Sequence, residues 1–107
     1  MNISFDDFKK CEIRMGTVTV AEPVEGSEKL LRLEVNFGEF TRQILTGIAK
    51  WYTPESLVGK QMPFIVNLAP RKMMGLESQG MLMATDNGDG AVMLFPEKEV
   101  PPGSHIH

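Results

Sequence analysis

Apolar and polar positions alternate with a period of two through much of the chain. The clearest run is KLLRLEVNF at 29–37, where Leu31, Leu33, Val35 and Phe37 share one parity and Arg32, Glu34 and Asn36 the other. That spacing predicts a strand with one face buried. Gly38 and Glu39 make a tight connection to FTRQILT at 40–46, so the two runs are expected to pair as a hairpin that Gly47 ends. Upstream, EIRMGTVTVA at 12–21 carries Ile13 and Met15 on one parity and Val18 and Val20 on the other. A flip across Gly16 predicts a bulge or sharp bend there. Downstream, QMPFIVNL at 61–68 keeps Met62, Phe64, Val66 and Leu68 in register, with Pro63 assigning that part to an edge or an unpaired position. GMLMAT at 80–85 and AVMLF at 91–95 read as strands on either side of the NGDG turn.

Helical signals are short. In SFDDFKK at 4–10, Ser4 can cap and Asp7 stands three residues on, which predicts one or two turns with Phe5 and Phe8 on one face. PESLV at 54–58 has proline for a first turn and Gly59 for a stop. Residues 22–28 and 69–79 read as loops, and the tail PEKEVPPGSHIH as extended, proline-rich chain whose histidines are flexible. The pattern predicts an all-β fold over a single domain, residues 1–107. A helix between the third and fourth strands fits a five-stranded OB-fold barrel with a short N-terminal helix and extra C-terminal strands. A small β-sandwich is the rival.

Composition adds bounds. At 107 residues the chain suits one domain, with a core small enough for association to help it. The net charge is −3, but it is unevenly spread. Residues 29–76 hold seven Lys/Arg against three Asp/Glu, while both flanks are acidic. A basic centre can present a positive face, and a mixed solvated surface is the plainer alternative. Cys11 is the one cysteine, so no internal disulfide forms and a reducing, cytoplasmic setting is expected. No apolar run approaches the roughly 20 residues of a membrane span. His105 and His107, both in the tail, cannot supply a four-ligand metal site or a catalytic triad. No metal, no cofactor and no catalysis are expected.

Three stretches are more specific: FDDFKKCEIRMGTV at 5–18, RQILTGIA at 42–49 and VNLAPRKMMGLESQGMLMA at 66–84. Together they resemble the tRNA-binding domain family, which includes the C-terminal appendage of bacterial methionyl-tRNA synthetases, stand-alone structure-specific tRNA-binding proteins and the cytokine-like domain of some eukaryotic synthetase complexes. The resemblance runs from about Ile3 to Ile106, and NLAPRKMMGLESQGM is its most diagnostic part. A related branch of export-chaperone-like proteins differs in that loop, so the chain resembles the synthetase branch more. The resemblance implies an OB fold, a homodimer built outside the barrel core (with residues 80–107 expected to contribute), and binding of tRNA shape with little regard to sequence. The module would act alone or lend tRNA affinity to a synthetase. The acidic flanks set it apart from more basic members. A peptide-binding, export-chaperone-like role is the alternative.

An OB barrel that binds RNA needs cations for phosphates and a few flat or polar groups for bases and 2′-hydroxyls. With the resemblance in view, Arg42 on the third strand and Lys72 in the 69–79 loop are the first candidates for phosphate. Arg71 is their neighbour, and a surface ion pair with Glu77 is its plainer use. Asn67 could read a base edge or satisfy loop backbone equally well. Ser78 and Gln79 form a polar turn, Met81 offers an adaptable apolar contact, and Lys29 and Arg32 widen the positive region. Trp51 and Tyr52 are expected to pack the short helix on the barrel.

Overall fold

A computed structural model describes all of residues 1–107. One short helix, α1 (Phe5–Lys9), precedes strands β1 (Ile13–Pro23), β2 (Leu31–Asn36) and β3 (Thr41–Thr46), a single 3-10 turn (Pro54–Ser56), and strands β4 (Gln61–Ile65), β5 (Arg71–Met73), β6 (Leu76–Ser78), β7 (Met81–Leu82), β8 (Ala84–Asp86) and β9 (Ala91–Met93). Five strands form one antiparallel sheet in the order β3-β2-β1-β4-β7, which curls into a nearly closed OB-like barrel. β5–β6 and β8–β9 are separate two-stranded hairpins.

The barrel follows from the pattern of side chains. Leu31, Leu33 and Val35 of β2 turn inward and are fully buried, joined by Val18, Ile44, Met62 and Phe64. Phe37 meets Phe64 edge-to-face at 5.5 Å, a geometry that adds about 1 kcal/mol to area burial. Ser4 Oγ accepts from the Asp7 N–H at 3.1 Å and starts α1. The Asp7 carboxylate does not complete the capping box; it pairs with Lys10. Pro54 opens the 3-10 turn and Gly59 follows it at φ +85°.

Some expectations are corrected. The burial parity of β1 does flip at Gly16, where an added Cβ would collide with Val35 Cγ1. The glycine therefore admits a core side chain, and the register irregularity falls two residues on, between Val18 and Val20. GMLMAT is two strands, β7 and β8, broken at Met83, because the chain leaves the barrel there for the β8–β9 hairpin. The tail is extended but not loose. Ser104 accepts from the Met15 N–H at 2.8 Å, Gly103 donates to Met15 at 2.7 Å and Ile106 donates to Ile13 at 2.9 Å, while His105 bridges to Arg14. It occupies the edge of β1 that β2, starting its pairing at Thr17, leaves open. Residues 69–79 are the largest correction. They contain a hairpin, Arg71 opposite Ser78 and Met73 opposite Leu76, closed by Met74 and Gly75 at φ 52° and 77°. Two successive left-handed residues make a type I′ turn.

Candidate nucleic-acid interface

The β5–β6 hairpin, called the arm below, is built on the free edge of β3. The Gln79 N–H donates to the Gln43 carbonyl at 2.8 Å. The Gln43 N–H donates to Gln79 Oε1 at 3.0 Å, and Gln43 Nε2 donates to the Glu77 carbonyl at 2.8 Å. Ser78, 2% exposed, accepts from the Leu45 N–H at 3.0 Å and donates to the Gly80 carbonyl at 3.1 Å. These bonds close the barrel seam between β3 and β7, since β7 itself pairs only with β4. The Ser78 hydroxyl and the Gln79 Oε1 are thus spent on the fold.

Arg42 is similarly occupied. Its Nη1 donates to the Val66 carbonyl at 3.0 Å and the Gln79 carbonyl at 3.1 Å. Its guanidinium lies over the Phe40 ring at 4.5 Å, and Arg14 approaches the same ring at 5.4 Å. Asn67 is used at both ends, accepting from the Glu12 N–H at 2.8 Å and donating to the Lys10 carbonyl at 2.6 Å. It ties the base of the arm to the segment after α1, which is the backbone-satisfying use.

A groove of about 690 Å³ separates the arm tip from the 24–28 loop, with Arg32 and Gln43, Met74 and Leu76, and Glu22 and Glu25 among its lining residues. Arg32 is its only cation and is fully engaged, with Glu22 at 2.7 Å, Glu34 at 2.9 Å and Gln43 at 3.1 Å. The hydrogen bonds it donates to Glu22 and then Glu34 raise its pKa above its ordinary value. The charge is balanced by two carboxylates, and the acidic rim disfavours phosphate. Arg32 therefore does not widen the positive region.

The remaining candidates are free. Arg71, Lys72, Lys29 and Met81 are exposed, and none of the four ion pairs involves Arg71, Lys72 or Lys29. Glu77 faces Lys72 across the arm but pairs with neither Lys72 nor Arg71. Arg71 lines a small cavity of about 120 Å³ with Leu68, Met73 and Met81, so one cation and an apolar rim stand together. The structure brings Arg71, Lys72 and Met81 to the arm and its base. Arg42 stands at that base with its Nη1 turned to two backbone carbonyls, unlike these exposed side chains. Trp51 and Tyr52 anchor the β8–β9 hairpin, through the Asp89 carbonyl at 3.1 Å and the Met93 N–H at 3.1 Å. Sequence reasoning missed the arm and the role of Gln43. The signal was present as RKM and LES around a two-residue turn, but methionine in place of asparagine or glycine concealed it.

The profile described as "Putative tRNA binding domain" matches residues 13–105. The methionine–tRNA ligase of Methanothrix thermoacetophila is 55% identical over 104 residues, which is 97% of this chain and 15% of that protein. The chain thus spans under a fifth of the curated relatives it matches. A crystal structure of a MetRS related protein from Pyrococcus horikoshii superposes with a TM-score of 0.95 at 40% identity, covering 100% of this chain and 99% of that one. The chaperone CsaA of Bacillus anthracis superposes with a TM-score of 0.90 at 34% identity, covering 100% of both chains.

Proposed function

The chain belongs to the tRNA-binding domain family, and from that premise we propose that it is a non-catalytic module that holds folded tRNA through the arm, as a homodimer, alone or as the tRNA-affinity appendage of a methionyl-tRNA synthetase. The observation that carries this reading is the pair Arg71 and Lys72, two exposed cations without ion-pair partners on a raised hairpin. Unpaired surface cations displace the counterions condensed on RNA phosphates at little desolvation cost. Lys72 meets phosphate from the solvent face of the arm. Arg71 does so beside Leu68 and Met81, whose exposed apolar surfaces suit an unstacked base. Lys29 adds charge at the approach to β2.

The test is tRNA binding by filter retention across a salt series. Affinity falls steeply as salt rises. Lys72→Ala weakens all tRNAs alike and reduces the steepness of log affinity against log salt by about one contact. A salt-independent signal, or none at low salt, sinks the reading. The likeness to the CsaA chaperone, with Leu68, Met74 and Met81 all about half exposed, favours a second reading, peptide binding. Peptide retention that excess tRNA does not disturb, with no tRNA retention at low salt, would select it.

A further inference from the structure

We propose that Arg42 is a positioning residue for RNA binding, a buckle that fixes the arm, and that it does not itself hold phosphate. The proposal rests on the reading of the arm as the RNA-binding element.

The two carbonyls that Arg42 meets lie at either end of the arm. Val66 immediately follows β4, and Gln79 immediately follows β6. Between them run the twelve residues that form the arm and its base. One Arg42 nitrogen receives both ends, at 3.0 and 3.1 Å. The arm's only ladder is three residue pairs long, and an isolated two-stranded hairpin is marginal in water. Its direction must therefore be imposed from its base. Gln43 and Ser78 secure one leg, through Glu77, Gln79 and Leu45. Of these groups Arg42 alone joins that leg to the other, through Val66.

The choice of arginine follows from the same geometry. Its planar head donates to two acceptors while its face lies over Phe40, 4.5 Å from the ring centre. A lysine keeps the charge but has no planar head to lay on that ring. No carboxylate pairs with Arg42, so its charge is balanced by carbonyl dipoles and the ring. Nη1 is committed to the two carbonyls and the face of the guanidinium to Phe40, so a phosphate would have only the donors of Nε and Nη2 to meet.

Three measurements on Arg42→Lys and Arg42→Met test this. Amide hydrogen exchange without RNA should accelerate in residues 69–79 of both variants while the β1–β2 amides keep wild-type protection, which a general loss of stability would not do. tRNA affinity should fall roughly tenfold in both, because neither side chain can both bridge the two carbonyls and lie on the Phe40 ring. The salt steepness should stay at the wild-type value, in contrast to Lys72→Ala. Full affinity in Arg42→Lys, or a steepness reduced in Arg42→Met as far as in Lys72→Ala, would identify Arg42 as a phosphate ligand and overturn the proposal. Unchanged exchange in the arm would also overturn it. Should the wild-type protein bind no tRNA, the functional reading fails while the exchange experiment still decides the buckle.

Discussion

Ser78 is a small side chain with a large structural share. Its hydroxyl accepts from the Leu45 N–H and donates to the Gly80 carbonyl at 2% exposure, and no buried side-chain polar atom in the molecule lacks a partner. Ser78→Ala leaves the Leu45 amide without an acceptor at the barrel seam. An orphaned buried donor costs about 1–3 kcal/mol, so the unfolding free energy should drop by that much, read as a lower denaturation midpoint with an unchanged slope. A loss below a few tenths would mean that water reaches the seam. Arg32 illustrates the opposite case, a charge fully spent on neighbours. Its folded pKa is raised, so whatever stability it contributes is complete below the ordinary arginine pKa and is lost only as pH climbs through the higher folded value. Stability should show no titration from Arg32 near neutral pH.

At the scale of elements, the arm carries a visible strain. Met74 is the one non-glycine residue with positive φ, at 52°. A left-handed conformation costs an ordinary residue roughly 1–2 kcal/mol, and asparagine tolerates it better. Met74→Asn should therefore raise stability by about 1 kcal/mol, read as an increase in Tm. A fall in Tm would show that the packing of the methionine side chain along the groove beside Val24 and Leu76 outweighs the backbone strain. The choice of methionine leaves an exposed, adaptable side chain at the tip of the element that carries Arg71 and Lys72. The β8–β9 hairpin is held from outside as well, by Trp51 and Tyr52, so both small hairpins depend on the barrel for their orientation.

For the whole molecule, the surface that the fold leaves uncovered bears on assembly. No residue of α1 is buried, and Phe5 is 71% exposed beside Phe8 and Ile106. The groove they share, about 370 Å³, lies between α1 and the tail. We expect this end, with tail residues as the sequence suggested, to meet a second copy. Sedimentation at micromolar concentration should give twice the 11.9 kDa chain mass, and Phe5→Ser with Phe8→Ser should return the monomer. A monomeric wild type would end that expectation.

Much of this architecture was legible in residue order. Period-two alternation marks β2 because a strand buries every second side chain, and the parity flip at Gly16 records where a missing side chain makes room for Val35 and Phe37. Ser4, Pro54 and Gly59 mark their turns because capping and φ preferences act within a few residues. The central excess of Lys and Arg was also legible, but its meaning was not. Which polar groups stay free depends on partners far along the chain: Arg42 Nη1 is taken by Val66 and Gln79, Asn67 by Lys10 and Glu12, Ser78 by Leu45. Composition and spacing determined the barrel, its turns and a basic middle. Only the closing of the sheet decided that Arg71 and Lys72 face solvent while Arg42 faces the fold, because hydrogen bonds between residues dozens of positions apart are set by three-dimensional distance and leave no periodic trace.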